Sequence, residues 1–236
     1  MLDCVYICRS GPNEELRYSI RSVVENLPHA NIWLIGSKPD WYDGNFVAIE
    51  NIGDKYDNID NCLLTIPKIS AISDDFISVH DDFFVIKPVD FLINFHGGML
   101  QDRINVHQKA SPVSKYTKLL KKTNEILKLA GIRIPLDFDI HVPMIMNKKK
   151  LSELRRGPVL LRSMYGNLFN VPSFEMKDVK SYQKGSSLAS VKQHNPKQND
   201  LLYFSTEDGS FNDYKNWLET KFPNPTKYEI DKRQSV

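Results

Sequence analysis

Phe76-Ile-Ser-Val-His-Asp-Asp82 runs straight into Phe83-Phe-Val-Ile86. A short, mostly apolar run that ends abruptly on polar groups reads as a buried strand whose carboxyl end opens onto solvent. Upstream of it, Leu2–Cys8, Ile32–Ile35 closed by Gly36, and Phe46–Ile49 read as three more strands. Helical spacing fills the gaps. Leu16, Ile20, Val23, Val24 and Leu27 follow a candidate N-cap, Asn13, and stop at Pro28; a second apolar helical pattern covers Ile59–Ile72, interrupted at Pro67. Strand alternating with helix over the first 90 residues predicts an α/β fold with an open, mostly parallel sheet. The length of 236 residues suits one domain.

In such sheets ligands bind outside the carboxyl ends of the strands. Asp81 and Asp82 stand at one of those ends. Two carboxylates there suit Mg²⁺ or Mn²⁺, which would bridge the phosphates of a nucleotide sugar and neutralise the leaving nucleoside diphosphate. Adjacent strand residues point to opposite faces, so the backbone must turn at Asp81 for both to reach one ion. The plain alternative is a solvated acidic turn. A second cluster is Asp139-Ile140-His141. In an extended segment residues two apart share a face, so Asp139 would orient His141 as a base on an acceptor hydroxyl or as a ligand of phosphate or metal, or the two form a structural hydrogen bond. Arg9, Asn13, Arg17 and Arg21 flank the end of the first strand and are candidate donor contacts together with Asp81. Arg17 and Arg21 have the alternative of ion pairs with Glu14 and Glu25 on the same helix.

The second half is less regular. Val113–Ala130 is amphipathic, with Tyr116, Leu119, Leu120, Ile126 and Leu127 on one side, lysines on the other and Gly131 as C-cap. Ile140–Met146 reads as extended, Lys148–Arg156 as helix, Leu201–Phe204 as a late strand, Asn212–Lys221 as a last helix, and Asp231–Val236 as a frayed tail. Charge is unevenly spread. Residues 1–106 carry a net −8, residues 107–162 a net +9 and residues 163–236 a net +1. An acidic front suits a cation; a basic middle suits a polyanion or is a solvated face. Lys118, Lys121 and Lys122 lie on one helical face, and with Arg155, Arg156 and Arg162 they are the candidate acceptor contacts. Cys4, Cys8 and Cys62 fit a reducing compartment and core packing. No stretch approaches the roughly 20 apolar residues that span a bilayer, and the start lacks a signal-peptide pattern, so the expected place is the cytoplasm.

The run from Asn13 through Glu-Glu-Leu-Arg-Tyr-Ser-Ile-Arg to Ser22 resembles a conserved stretch of the Stealth family. These are sugar-1-phosphate transferases of bacterial capsules, with the lysosomal-enzyme GlcNAc-phosphotransferase among them. The similarity continues through Trp33–Gly36, Pro39-Asp-Trp41 and Phe76–Asp82, where the family has Asn-Asp-Asp, and into His141-Val-Pro143, which looks like its His-x-Pro stretch. The resemblance implies a GT-A-like fold, in which an acidic Asp-x-Asp signature stands at the strand end, a UDP-sugar or other nucleotide-sugar donor, and a metal held by Asp81 or Asp82. It covers residues 1–90 and 137–150. The family's Val-Tyr-Thr-Trp-Val-Asp is here Val5-Tyr-Ile-Cys-Arg-Ser10, without the acid, and Pro12 replaces the acid that precedes its second stretch. A compact relative doing ordinary glycosyl transfer would keep the donor site and lose those groups.

Three functions fit these features. The favoured one is a glycosyltransferase acting on a polyanion such as duplex DNA bearing 5-hydroxymethylcytosine, as in phage. Tyr116, Tyr165 or Phe169 would then serve as a base-flipping wedge. The second is Stealth-type sugar-1-phosphate transfer to a surface polysaccharide, with the basic helix as a peripheral membrane contact. The third is a nucleic-acid-binding module without catalysis.

Overall fold

The computed structural model describes residues 1–182, 201–207 and 209–230. In chain order its elements are β1 (Asp3–Cys8), α1 (Glu15–Asn26), β2 (Ile32–Gly36), β3 (Asn45–Ala48), α2 (Lys55–Thr65), β4 (Asp75–His80), β5 (Phe83–Val85), β6 (Asn94–His96), α3 (Leu100–Ala110), α4 (Lys115–Leu129), β7 (Met144–Asn147), α5 (Lys148–Glu153), α6 (Leu161–Leu168), β8 (Ser173–Glu175), β9 (Lys180–Ser181), β10 (Tyr203–Thr206) and α7 (Phe211–Lys221).

The central sheet has the order β3-β2-β1-β4-β7. All its pairings are parallel except β4 with β7. The expectation of a mixed α/β fold with a mostly parallel sheet holds. From β1 the chain steps outward to β2 and β3, and then returns to lay β4 on the other side. The reversal between β1 and β4 leaves a crevice at their carboxyl ends, where Cys8 and His80 finish the strands. Gly36 closes β2 at φ +118°, and a Cβ there would collide with the Cys8 carbonyl, so glycine lets the two strand ends meet.

A second sheet, β5-β10-β9, grows from the same place, because β5 begins one residue after Asp82. Its outer edge at β5 would be left unpaired, and α1 covers it with a polar stripe. Ser19 donates to the Phe83 carbonyl, Ser22 accepts from the Val85 amide at 3.0 Å, and Asn26 donates to the Val85 carbonyl at 3.0 Å. Spaced by three and four, these residues sit on one helical face and are buried. Leu16, Ile20 and Val23 fill the rest of that face against Cys4, Tyr6, Ile77 and Val79. At roughly 1.5–3 kcal/mol per buried aliphatic side chain, these contacts outweigh the few polar ones in fixing α1.

Several local expectations shift. The second helix begins earlier than its apolar spacing, because Asp54 and Asp57 form a capping box; it ends at Thr65, and a short 3-10 turn carries Pro67. Ile140–Met146 is not a continuous strand: residues 140–142 bend and only Met144–Asn147 pairs. Helix α3 carries only a weak apolar period, and α6, although amphipathic, is only 8 residues long; the sequence did not reveal either. Tyr165 packs in the core, with its hydroxyl accepting from the Asn147 amide at 2.7 Å, so it is not a base-flipping wedge; Phe169 is half-buried against the same core. The Asp231–Val236 tail lies outside the described residues. The cysteines are free and buried, as core packing requires. No helix among the described residues is long and apolar enough to cross a membrane.

Candidate active site

The backbone turns at Asp81 and Asp82 because β4 ends at His80 in one sheet and β5 starts at Phe83 in another. The two carboxylates meet different partners. Asp81 Oδ2 accepts from Asn13 Nδ2 at 2.6 Å and faces Arg9 Nε at 3.6 Å. Asn13 also accepts from the Leu16 amide at 3.3 Å, so it caps α1 from one position earlier than the formal cap, Glu14, and holds Asp81 at the same time. Asp82 Oδ2 accepts from Lys180 Nζ at 2.7 Å. Lys180 arrives through sheet register: Ser205 pairs with Phe83 on one side and with Lys180 on the other. Burial and the neighbouring Asp82 charge raise the Asp81 carboxyl above its ordinary range. Burial acts the same way on Asp82, but Lys180, His141 and His80 outweigh it and hold that carboxyl down.

His141 stands opposite. Lys180 Nζ lies 3.2 Å from its Nε2, and Asp178 Oδ1 lies 3.4 Å from its Nδ1. An ammonium only donates, so Nε2 accepts and the ring proton sits on Nδ1, toward Asp178. Sequence reasoning assigned that orienting role to Asp139. The bend at residues 140–142 breaks the two-residue alternation, so Asp139 and His141 do not share a face, and Asp178 takes the place. Asp178 is anchored from below: its Oδ2 accepts from Arg103 Nη2 at 3.0 Å, and Arg103 Nε is 3.7 Å from Asp137. Burial raises the Asp137 carboxyl to about 6, against the pull of Arg103.

His80 completes the layer. Its ring is 5.7 Å from that of His141, and its Nε2 accepts from Arg162 at 2.6 Å. Burial first, and then Arg162 and His141, press its pKa well below the ordinary histidine range, so it is a neutral spacer. Arg162 is therefore not an acceptor contact. It is 3% exposed and donates to His80 and to the Val142 carbonyl, because it opens the buried helix α6.

A cleft of about 460 Å³ opens beside this centre, lined by residues 11–14, Arg17 and residues 38–41. Asn13 belongs to both the cleft and the carboxylate pair. The Arg17 guanidinium lies 4.8 Å from the centre of the Trp41 ring and packs over it, with Glu229 3.7 Å from its Nε. Arg21 is different: its guanidinium is taken up by both oxygens of Glu229 at 2.8 and 2.7 Å and by the Phe222 and Pro223 carbonyls. It ties the carboxy-terminal segment to α1 and does not face the cleft.

Among the described residues no group of three or more His, Cys, Asp or Glu side chains gathers to hold a metal. Asp82 Oδ1, however, is buried with no hydrogen-bond partner among those residues. A Mg²⁺ or Mn²⁺ taking oxygens from Asp81 and Asp82 and completing its shell from phosphates and water fits that donor set, the usual arrangement of Mg²⁺ beside phosphates.

No protein-family model matches the chain, and no curated protein matches it in sequence. Solved structures do match. An active-site mutant of LgtC superposes with a TM-score of 0.53 at 9% identity, over 96% of this chain and 98% of the other. The galactosyltransferase LgtC in complex with donor and acceptor sugar analogues gives 0.51 at 9% identity, over 99% of each chain. This is a glycosyltransferase fold. The glycosyltransferase GlyE of Streptococcus pneumoniae matches at 13% identity over 98% of this chain and 68% of the other, with a TM-score of 0.47.

Of the residues singled out in the sequence, the fold brings Arg9, Asn13, Asp81, Asp82 and His141 to one centre, with Arg17 at its margin. The remaining acceptor candidates are scattered. Lys122 pairs with Glu125 at 2.9 Å, Arg156 with Asp57 at 3.1 Å, and Arg155 folds back onto the Ser152 and Leu154 carbonyls. Lys118 and Lys121 are exposed. Asp178 and Lys180 were missed. Their one sequence signal was a shared face two residues apart, which the short segment around Val179 gave no reason to read as a strand.

Proposed function

We propose that the protein is a glycosyltransferase that moves a sugar from a nucleotide-sugar donor, a UDP-sugar first among them, to an acceptor hydroxyl. The observation that carries this is the meeting of His141, Lys180, Asp81 and Asp82 at the switch between β1 and β4. In this reading the nucleoside occupies the cleft beside Arg17 and Trp41, and the diphosphate lies across the strand ends toward Arg9 and Lys180. Asp81 and Asp82 would hold Mg²⁺ or Mn²⁺, which supplies charge neutralisation of the leaving diphosphate when bound. His141 Nε2 takes the proton of the acceptor hydroxyl. Asp178 holds the ring in the tautomer that leaves that nitrogen unprotonated and stabilises the imidazolium once it forms. His80 and Arg162 wall the back of the site.

For the acceptor, the polyanion reading, with hydroxymethylated duplex DNA as its example, keeps the exposed Lys118 and Lys121 and the net +9 of residues 107–162 in its favour. Transfer to such DNA across a salt series tests it: phosphate contacts make transfer fall steeply with salt. The donor half is tested by a thermal-shift screen of nucleotide sugars with and without Mn²⁺. A donor at a hundred times its dissociation constant stabilises the fold by about 2.7 kcal/mol; a protein whose unfolding no nucleotide sugar moves is not this enzyme.

A further inference from the structure

Lys180 touches both halves of the site. Its ammonium lies 2.7 Å from Asp82 Oδ2 and 3.2 Å from His141 Nε2. The second contact occupies the lone pair that would receive the acceptor's proton, so the base is engaged before any substrate arrives. The backbone of Lys180 is fixed by its pairing with Ser205, while the ammonium rides on a flexible four-carbon stem. The side chain keeps 15% exposure and that of Asp82 16%.

We propose that Lys180 is a donor-sensing latch: the diphosphate of the donor draws its ammonium off His141 Nε2, so the base becomes available only after the donor has bound. This rests on the nucleotide-sugar reading of the site. The direction follows from charge. The contact to His141 joins the ammonium to a neutral ring at 3.2 Å, whereas a diphosphate oxygen carries a negative charge and adds direct Coulomb attraction to the hydrogen bond. Asp82 stays within reach as a tether, so the ammonium swings without leaving the site. The transfer then balances. The acceptor O–H gives its proton to Nε2, the acceptor oxygen bonds to the anomeric carbon, and the bond from that carbon to the diphosphate oxygen breaks with its electron pair. The new charge on the leaving nucleoside diphosphate meets Lys180.

The test is a long-range ¹H–¹⁵N spectrum of the six histidine side chains of the full chain, with the His141 signals assigned by their loss in His141→Gln. UDP, GDP, CDP, ADP and inorganic pyrophosphate are added in turn, and binding is followed separately by Trp41 emission. Binding should move His141 Nε2 to the position of a nitrogen that accepts no hydrogen bond. Lys180→Met should show that position with no nucleotide present and should weaken nucleoside diphosphate binding roughly 10- to 100-fold. If the single variant fails to fold, Lys180→Met with Asp82→Asn restores the charge balance and is read by the His141 Nε2 position alone, which should be that of a nitrogen accepting no hydrogen bond; an unmoved Nε2 overturns the latch. A nucleotide that binds while His141 Nε2 stays put, or Lys180→Met binding as tightly as wild type, overturns the latch alone. No binding of any of these probes removes the latch and the donor reading together.

Discussion

Replacing Asp178 by Asn keeps the shape of the side chain and removes one acceptor oxygen. In the native site Oδ2 accepts from Arg103 at 3.0 Å, while Oδ1 faces His141 Nδ1 at 3.4 Å and the His141 and Lys180 amides at 3.5 and 3.3 Å. An amide has one carbonyl and cannot serve both sides. The Arg103 bond is charged and near ideal length, worth roughly 1.5–3 kcal/mol, while the other three are long. Arg103 therefore wins the carbonyl, and the NH₂ turns toward His141. That forces the opposite tautomer, with the proton on Nε2, and the base is lost; transfer should fall by about 10²–10⁴-fold. Stability should also fall. Breaking a buried ion pair costs roughly 3–5 kcal/mol, and Asp137 at 3.7 Å from Arg103 keeps the cost near the lower end. For a chain of this size about 3 kcal/mol is a loss of roughly 6–12 °C in thermal midpoint. Calorimetry and transfer assays run well below the midpoint separate the two effects. An Asp178→Asn protein that melts early yet transfers sugar at the wild-type rate would refute the orienting role.

Three other outcomes follow from the same geometry. Arg21→Ala should cost about 3 kcal/mol by leaving the 5%-exposed Glu229 without its main partner; the segment after Lys221 should become protease-sensitive while donor affinity stays near wild type, and unchanged protease resistance would contradict this. Burial raises the Asp60 carboxyl from 3.8 to about 7, so the folded state holds a proton that the unfolded state releases, and stability falls as pH rises from about 4 to about 7. Asp60→Asn should accordingly stabilise the protein at pH 8, by at most about 4 kcal/mol, and much less at pH 4; equal effects at both pH values would show that Asp60 is not perturbed. Charge reversal at Lys118 and Lys121 should weaken transfer to DNA and flatten its salt dependence while donor hydrolysis is spared, and transfer that ignores both salt and these changes removes DNA as the acceptor.

The first 90 residues were legible because β1, β2 and β4 are buried apolar runs and α1 shows a clear period, so the position of Asp81 and Asp82 at a strand end could be read directly. Asn13 and His141 were legible as members of recognisable runs. Arg21 and Arg162 were misread for one reason: an arginine in sequence looks like a surface charge, and only the fold shows that Glu229 and His80 bury them. Asp139 was assigned the role of Asp178 because the alternation argument assumed an extended chain through a segment that bends. Asp178 and Lys180 reach the site by pairing with β10, a contact between segments whose separation no local period reports. Both α3 and α6 pack against α4; α3 has little period of its own, and the amphipathic α6 is too short at 8 residues for its period to stand out.

Whether His141 and Asp82 carry sugar transfer is decided by turnover of a panel of nucleotide sugars in the presence of Mg²⁺ or Mn²⁺, with release of nucleoside diphosphate as the readout, for wild type and for His141→Ala and Asp82→Ala. Release from at least one donor by wild type, with a loss of about 10²–10⁴-fold in His141→Ala and near-complete loss in Asp82→Ala while both variants keep a cooperative unfolding transition, is the predicted result. Release from no donor by a folded wild type, or release undiminished in both variants, would contradict it.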